Sequence, residues 1–214
     1  MSVPGPDAAG GTVEREVKLD VDGGFLVPAL EGASPLEPRR LDAVYHDTVD
    51  LRLLDQGITV RRRSGEGTRW TVKFPTAEMA HAGGLARREV DVMSDDVEPP
   101  PPVHELVAPY LEGAALAPVA RLVSVRERLA LLAADGSMLA EVDDDRVSAR
   151  AMVASDDRRS SGAEVSFREI EVEFDADAPA AMIEAVVERF REAGARASDG
   201  VPKVERALAM LGLR

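Results

Sequence analysis

Seven short segments of this chain alternate full charges with apolar side chains at a period of two, and only a β-strand turns that period into two chemically opposed faces. They are VEREVKLDV (13–21), GITVRRR (57–63), RWTVKF (69–74), ARREVDV (86–92), RLVSVRERLAL (121–131), MLAEVDDDRV (138–147) and REIEVEF (168–174). Side chains two apart share a face, so Glu14, Glu16 and Lys18 point one way while Arg15, Val17 and Leu19 point the other. The same parity groups Arg61 with Arg63, Thr71 with Lys73, Arg87 with Glu89 and Asp91, and Arg126 with Arg128. It also groups Glu141 with Asp143 and Asp145, and Glu169 with Glu171 and Glu173. The opposite faces carry Val60, Trp70, Val72, Phe74, Val90, Val92, Ile170, Val172 and Phe174, which require burial against helices.

A solvated charged face on one strand is ordinary. Here several strands each carry two or three full charges, nearly all Glu or Arg. If the sheet closes into a barrel, those faces line the bore, where unpaired charges would be prohibitively costly without ligands. The cations are Lys18, Arg61, Arg63, Lys73, Arg87 and Arg126, with Arg128 and Lys203 as further candidates. The anions are Glu14, Glu16, Glu89, Asp91, Glu141, Asp145, Glu169, Glu171 and Glu173; for Asp143 a turn or capping role fits as well. Arginine forks match phosphate oxygens bidentately, and clustered carboxylates match a hard divalent cation such as Mg²⁺. Together they point to metal-assisted phosphoryl chemistry.

GEG (65–67) and ADG (134–136) are compact turn signals, and SDDRRSSG (155–162) reads as a longer polar hairpin loop. Helical spacing occupies a short stretch near Asp50–Gln56, then Val103–Glu112, 179–194 and 201–212. Residues 1–11 lack apolar periodicity and read as a disordered leader, leaving a single domain over 12–214, because the EPPPP run (98–102) is too short to divide it. With 26 basic against 39 acidic residues the chain carries −13, which argues against nonspecific nucleic-acid binding. The absence of cysteine removes disulfides, thiolate metal sites and thiol nucleophiles. His46, His81 and His104 lack metal-ligand spacing, so carboxylates must hold any metal, as Mg²⁺ or Mn²⁺. The first residues have no basic start and no apolar core, so neither signal nor anchor is expected and the cytoplasm is the expected location.

Glu14-Arg15-Glu16-Val17-Lys18 has the form ExExK. It is followed by YHDT (45–48), by LRLLDQGITVRRR (51–63), which resembles "L…G…LRxR", by WTVKFP with Lys73, and by Arg87-x-Glu89-x-Asp91. Arg126, AEVDDDRV (140–147), REIEVE (168–173) and PKVERAL (202–208), similar to "SKxxRAL", complete the order. Over residues 13–212 the chain thus resembles the CYTH superfamily, the triphosphate tunnel metalloenzymes. The resemblance implies an α+β fold: an eight-stranded antiparallel closed β-barrel with surrounding helices, forming a tunnel that binds a triphosphate. It implies that Lys18, Arg61, Arg63, Lys73, Arg87, Arg126 and Lys203 grip phosphates. Glu14, Glu16, Glu169, Glu171 and Glu173, helped by Glu141 and Asp145, would hold one or two Mg²⁺ or Mn²⁺ ions. Glu14, Glu16 and Lys18 would be catalytic, with Glu89, Asp91, Tyr45 and Arg128 also in the tunnel.

The expected activity is metal-dependent hydrolysis of a triphosphate, with tripolyphosphate first and nucleoside or thiamine triphosphate next. A noncatalytic polyphosphate or nucleotide binder would bind anions without turnover, and a class IV adenylate cyclase would make cyclic AMP. The expected partner is therefore a small triphosphate or polyphosphate, with no specific nucleic acid and no membrane, and the expected state is monomer or homodimer. Asp91 replaces the more usual glutamate, Pro202 stands where serine commonly precedes the lysine, and Val125 stands where many relatives carry a second basic residue. No CHAD domain follows, so a stand-alone domain is expected. Trp70 has the parity of the apolar Val72 and Phe74 and reads as packing. His46 reads as a surface or turn residue, Tyr45 fits substrate contact or core equally, and the DDR triplets at 144–146 and 156–158 read as loop.

Overall fold

The computed structural model describes residues 11–64, 68–76, 84–152 and 163–214. The GEG and SDDRRSSG turns, His81, the second DDR triplet and nearly all of the expected leader fall outside those residues.

The elements run β1 (Thr12–Asp20), β2 (Ala33–Asp47), α1 (Arg52–Asp55), β3 (Thr59–Ser64), β4 (Arg69–Pro75), β5 (Leu85–Met93) and α2 (Pro101–Leu111). They continue with β6 (Ala117–Leu132), β7 (Met138–Ala151), β8 (Glu164–Phe174), α3 (Ala180–Glu192), β9 (Arg196–Ala197) and α4 (Lys203–Met210). Hydrogen bonding follows the order β5-β4-β3-β2-β6-β7-β8-β1, every described pair antiparallel, and β1 returns to β5. The eight long strands therefore form a closed barrel, which leaves the sheet no free edge along that seam. The two-residue β9 adds to the far half of β1, Leu19 opposite Ala197.

One strand, β2, shows no alternation of its own, because Pro35 and Pro38 interrupt it. It is nonetheless 15 residues long and pairs with β6 along its length. The register shifts between Leu36 and Arg39, so Pro38, which has no N–H to offer, falls within that break in the ladder. The first DDR triplet lies within β7 and not in a loop: Asp144 faces the barrel exterior, where Arg168 donates two hydrogen bonds to it at 2.8 and 2.7 Å.

Three apolar clusters hold the barrel. The stripe Ile183, Val186, Val187 and Phe190 of α3 covers Val17, Leu19, Val142, Ile170 and Val172 on the outer faces of β1, β7 and β8. Full burial of a ring such as Phe190 contributes roughly 1.5–3 kcal/mol. Val103, Val107 and Leu111 of α2 cover Val60, Trp70 and Val72 on β3 and β4. Trp70 is fully buried there, as its parity requires, and His46 is buried against it with ring centroids 4.8 Å apart. His46 is thus a core residue, correcting its reading as surface or turn. Helix α4 differs: Val204, Ala207 and Leu208 pack on Ala43, Tyr45, Leu122, Val147 and Ala149, which have the parity of the charged, inward faces. That helix fills one end of the bore.

Candidate active site

The register explains how the inward faces converge. Lys18 lies opposite Glu171, Glu16 opposite Glu173, Asp145 opposite Glu169, Arg126 opposite Asp145 and Glu14 opposite Arg87. Period-two alternation on antiparallel strands thus gathers side chains that are far apart in sequence into one cavity of about 360 Å³. Its wall includes Glu14, Glu16, Lys18, Tyr45, Arg61, Arg63, Lys73, Arg87, Glu89, Asp91, Arg126, Glu141, Glu171, Glu173 and Lys203. Every one was a tunnel candidate from parity or motif.

The charges are arranged by sign. On the β3–β5 side, the Lys73 ammonium contacts Glu14 and lies 3.0 Å from Glu89, while Arg61 lies 3.8 Å from Glu89. Although burial opposes ionisation, Lys73 holds the Glu14 carboxyl down at about 2, so Glu14 is an anion at neutral pH. Burial likewise opposes the charge on Arg61, and Tyr45 and Glu89 outweigh it, raising its pKa. Arg87 donates to the Gly57 carbonyl, and its pKa is lowered by burial against the pull of Glu16 and Glu14.

The β7–β8–β1 side is dominated by carboxylates. One oxygen each from Glu14, Glu16 and Glu173 lie within 4.8 Å of one another, and so do oxygens of Asp143, Glu171 and Glu173. Glu16 is raised chiefly by burial, with Lys18 opposing and Glu171 adding. Burial and the charges of Glu14 and Glu171 push Glu173 up to about 9, and burial pushes Asp143 up to about 8 against the attraction of Arg126. Two bases temper this side. Lys18 contacts Glu171 and lies 3.5 Å from Glu16, and Lys203 contacts Glu171 and lies 3.0 Å from Asp145 and 2.9 Å from Glu169.

Some expected residues stand back from the carboxylate groups. Asp145 and Glu169 are buried against Lys203, and Arg126 donates to Asp145 at 2.8 and 2.7 Å. Glu141 accepts two hydrogen bonds from Arg128, at 2.6 and 2.8 Å. Asp91 accepts from Thr71 at 2.6 Å and lies 3.6 Å from Arg69, on the cationic side. Pro202 lines the cavity and precedes α4, whose first residue is Lys203; Arg206 N–H reaches the Pro202 carbonyl at 3.1 Å. Val125 points outward and is 39% exposed, so no cavity cation is missing at that position.

Residues overlooked in the sequence also belong here. Asp143, for which the sequence leaves an inward anion and a turn or cap both open, is fully buried in mid-strand, ion-paired with Arg126, and neither of its carboxylate oxygens receives a hydrogen bond. Its parity with Glu141 and Asp145 was the signal. Arg69 and Arg39 also line the cavity. Arg69 shares parity with Thr71 and Lys73, whereas Arg39 lay hidden in the proline-broken β2.

The family model described as CYTH domain matches residues 13–207. The uncharacterized protein Rv2226 of Mycobacterium tuberculosis is 30% identical in an alignment 209 residues long that covers 92% of this chain; the match spans 40% of the length of that relative. Among solved structures, PH1819 from Pyrococcus horikoshii superposes with a TM-score of 0.55 at 17% identity, covering 92% of this chain and 99% of that one. HpAC1 from Hippeastrum, a candidate adenylyl cyclase described as having a dominant triphosphatase activity, superposes at 0.54 with 14% identity over 92% and 96%.

Proposed function

This chain belongs to the CYTH family, and from that premise we propose that it hydrolyses a triphosphate with a divalent cation, inorganic tripolyphosphate being the first substrate to test. The observation that carries the reading is the two-sided cavity: Arg61, Arg63 and Lys73 of β3 and β4, with Arg87 of β5, face a carboxylate-rich wall on β1, β7 and β8.

The carboxylate wall fits a hard cation. Asp143 offers two buried oxygens that accept no hydrogen bond, and Glu173 is so crowded that it holds a proton at neutral pH. Both features suit oxygen donors awaiting a cation. Glu14, Glu16 and Glu173, with Asp143 and Glu171, would hold Mg²⁺ or Mn²⁺. When bound, such an ion supplies charge neutralisation at phosphate oxygens and acidifies an attacking water.

The chain's own side chains supply the rest. Arg61, Arg63, Lys73 and Arg87 bind and orient the phosphoryl oxygens, and their fixed positions stabilise charge that spreads over the transferring group. Lys18 and Lys203 keep Glu171 ionised and in place; attraction from these ammoniums and Arg126 outweighs burial and holds its carboxyl low. Glu16 is raised chiefly by burial and Glu173 holds a proton at neutral pH, so the affinity of this carboxylate set for a cation would rise with pH.

Substrate choice follows from what lines the bore. Among the described lining residues Tyr45 is the one aromatic, and Leu41 and Pro202 are the apolar contacts. Such a wall offers little to stack a base or a thiazole, which favours a bare phosphate chain. Purified protein incubated with Mg²⁺ or Mn²⁺ and a panel of tripolyphosphate, ATP, thiamine triphosphate and long-chain polyphosphate tests this. Phosphate release fastest from tripolyphosphate supports the proposal. Binding by calorimetry without phosphate release from any substrate would sink the hydrolase reading in favour of a binder.

A further inference from the structure

Beyond α3, the outer face of β2, β6, β7 and β8 differs from the rest of the barrel. On these strands the outward residues are apolar where α3 packs, and beyond it they are arginines interspersed with the carboxylates of Asp42, Glu127, Asp144 and Glu164. Arg40, Val125, Arg146 and Arg168 lie side by side in one row across the four strands, and Arg121 lies opposite Arg150 four residues further along. Arg40, Arg146 and Arg150 are exposed, and these arginines border a concave groove of about 730 Å³.

Acidic groups on the face hold part of this set. Asp144 clamps Arg168, Asp42 pairs with Arg121, and Glu164 lies 3.5 Å from Arg150. Arg40 and Arg146 form no ion pair among the described residues, although Arg146 sits directly opposite Arg168, a like-charge juxtaposition that costs stability on a sheet. Val123 and the half-exposed Val125 lie between the arginines. In a chain of net charge −13 this is a local reversal of sign.

We propose that this face docks an acidic peptide segment of a partner protein, one whose carboxylates are separated by apolar side chains. Arginine outlines the face and lysine does not; arginine is the cation enriched at protein interfaces because its planar fork meets carboxylates bidentately. The two arginine rows stand about 13 Å apart at strand rise, a span that an extended segment covers with several side chains. The valines between them give apolar side chains a place to rest, which a purely ionic polyphosphate cannot use. A dense polyanion would also meet the carboxylates of Asp42 and Glu164 at close quarters, while a segment with spaced charges can pass between them. The inference is independent of the tunnel chemistry, since Arg40 and Arg146 point away from it.

Fluorescence anisotropy on the full chain tests it, using a short labelled peptide that alternates Glu with Leu and Ala, and the same peptide with Gln for Glu. The acidic peptide should bind, and bind more weakly as salt rises. Charge reversal in R40E/R146E should weaken it about tenfold or more. The neutralising pair R40Q/R146Q, gentler on folding, should give a smaller loss in the same direction, with thermal unfolding unchanged or slightly raised by relief of the Arg146–Arg168 juxtaposition. Equal binding of the Gln peptide, no loss in either double variant, or a loss confined to polyphosphate or anionic vesicles as probes would overturn the proposal.

Discussion

Asp143 and Asp145 sit one pleat apart on the inward face of β7, and the chain satisfies them unequally. Arg126 donates two hydrogen bonds to Asp145, and Lys203 adds an ion pair at 3.0 Å, whereas Asp143 receives the Arg126 charge and no hydrogen bond. One carboxylate is hydrogen-bonded into the scaffold, and the other is held by the charges of Arg126 and Arg128.

Asn substitutions should therefore separate. Asp145→Asn breaks the buried pair in which Arg126 donates two hydrogen bonds and Lys203 lies at 3.0 Å, and although Glu171 still contacts both cations it should destabilise the fold by up to about 3–5 kcal/mol in chemical denaturation. Asp143→Asn replaces a carboxyl that burial already keeps largely protonated at neutral pH, so metal-free stability there should change little. It should also raise the Mg²⁺ or Mn²⁺ concentration needed for half-maximal phosphate release. If both variants lose stability alike, the division of labour is wrong.

Glu16→Gln should reduce hydrolysis by on the order of 10³-fold while tripolyphosphate binding, followed by calorimetry, survives on the cationic wall. In contrast, Lys73→Ala or Arg61→Ala should weaken binding itself, by about 2–5 kcal/mol for a buried, charge-assisted contact. A Glu16→Gln protein that binds no anion would place the carboxylate in anion binding and not in the reaction.

Metal-free stability should depend on pH with a definite sign. Asp143 and Glu173 have folded-state values of about 8 and 9, above the ordinary carboxylate range. The folded state binds these protons more tightly than the unfolded chain, so their contribution is complete below the unfolded values and fades as pH climbs through 8 and 9. Glu14, held at about 2, acts oppositely: its contribution is present above the ordinary glutamate value and disappears as pH falls through 2. Thermal melts in chelator should show Tm declining from mildly acidic to pH 9, and Asp143→Asn should flatten that decline. A Tm that climbs over this interval would contradict the crowding of these carboxylates.

Asp47 is buried with no cationic partner among the described residues, and its carboxylate accepts the backbone N–H groups of Thr48, Leu53 and Leu54 at 2.7, 2.9 and 3.0 Å. It pins α1, and the Gly57 carbonyl just beyond that helix receives Arg87. Asp47→Ala should cost about 1–3 kcal/mol of stability and raise KM for tripolyphosphate more than it lowers kcat. An unchanged KM would confine Asp47 to folding.

Much of this was legible because parity is a rigid rule: once Glu14, Glu16 and Lys18 share a face, their strand neighbours must meet them, and every lysine and arginine assigned to phosphate gripping does line the cavity. The failures have physical causes. β2 was invisible because prolines broke its alternation, and its pairing with β6 is a tertiary fact that overrides local preference. Asp143 stays open between a lining anion and a turn residue in the sequence because aspartate is common in turns, and the β7 ladder that runs straight through it decides for the strand. The inward packing of α4, which delivers Lys203, follows from the way the bore is plugged, and amphipathicity alone says only that such a helix buries one face.

Lys18 and Glu171 meet across 153 positions of sequence, on strands that zip together at the barrel seam. A chain emerging from the ribosome holds its first strand long before the eighth is made, so half of the charged lining must wait in water as an unmatched ribbon. Assembly of the pocket is consequently a late and cooperative event with a heavy demand on long-range pairing. Truncation ahead of β8 would leave no weaker enzyme, only an open sheet with nowhere to hold a phosphate.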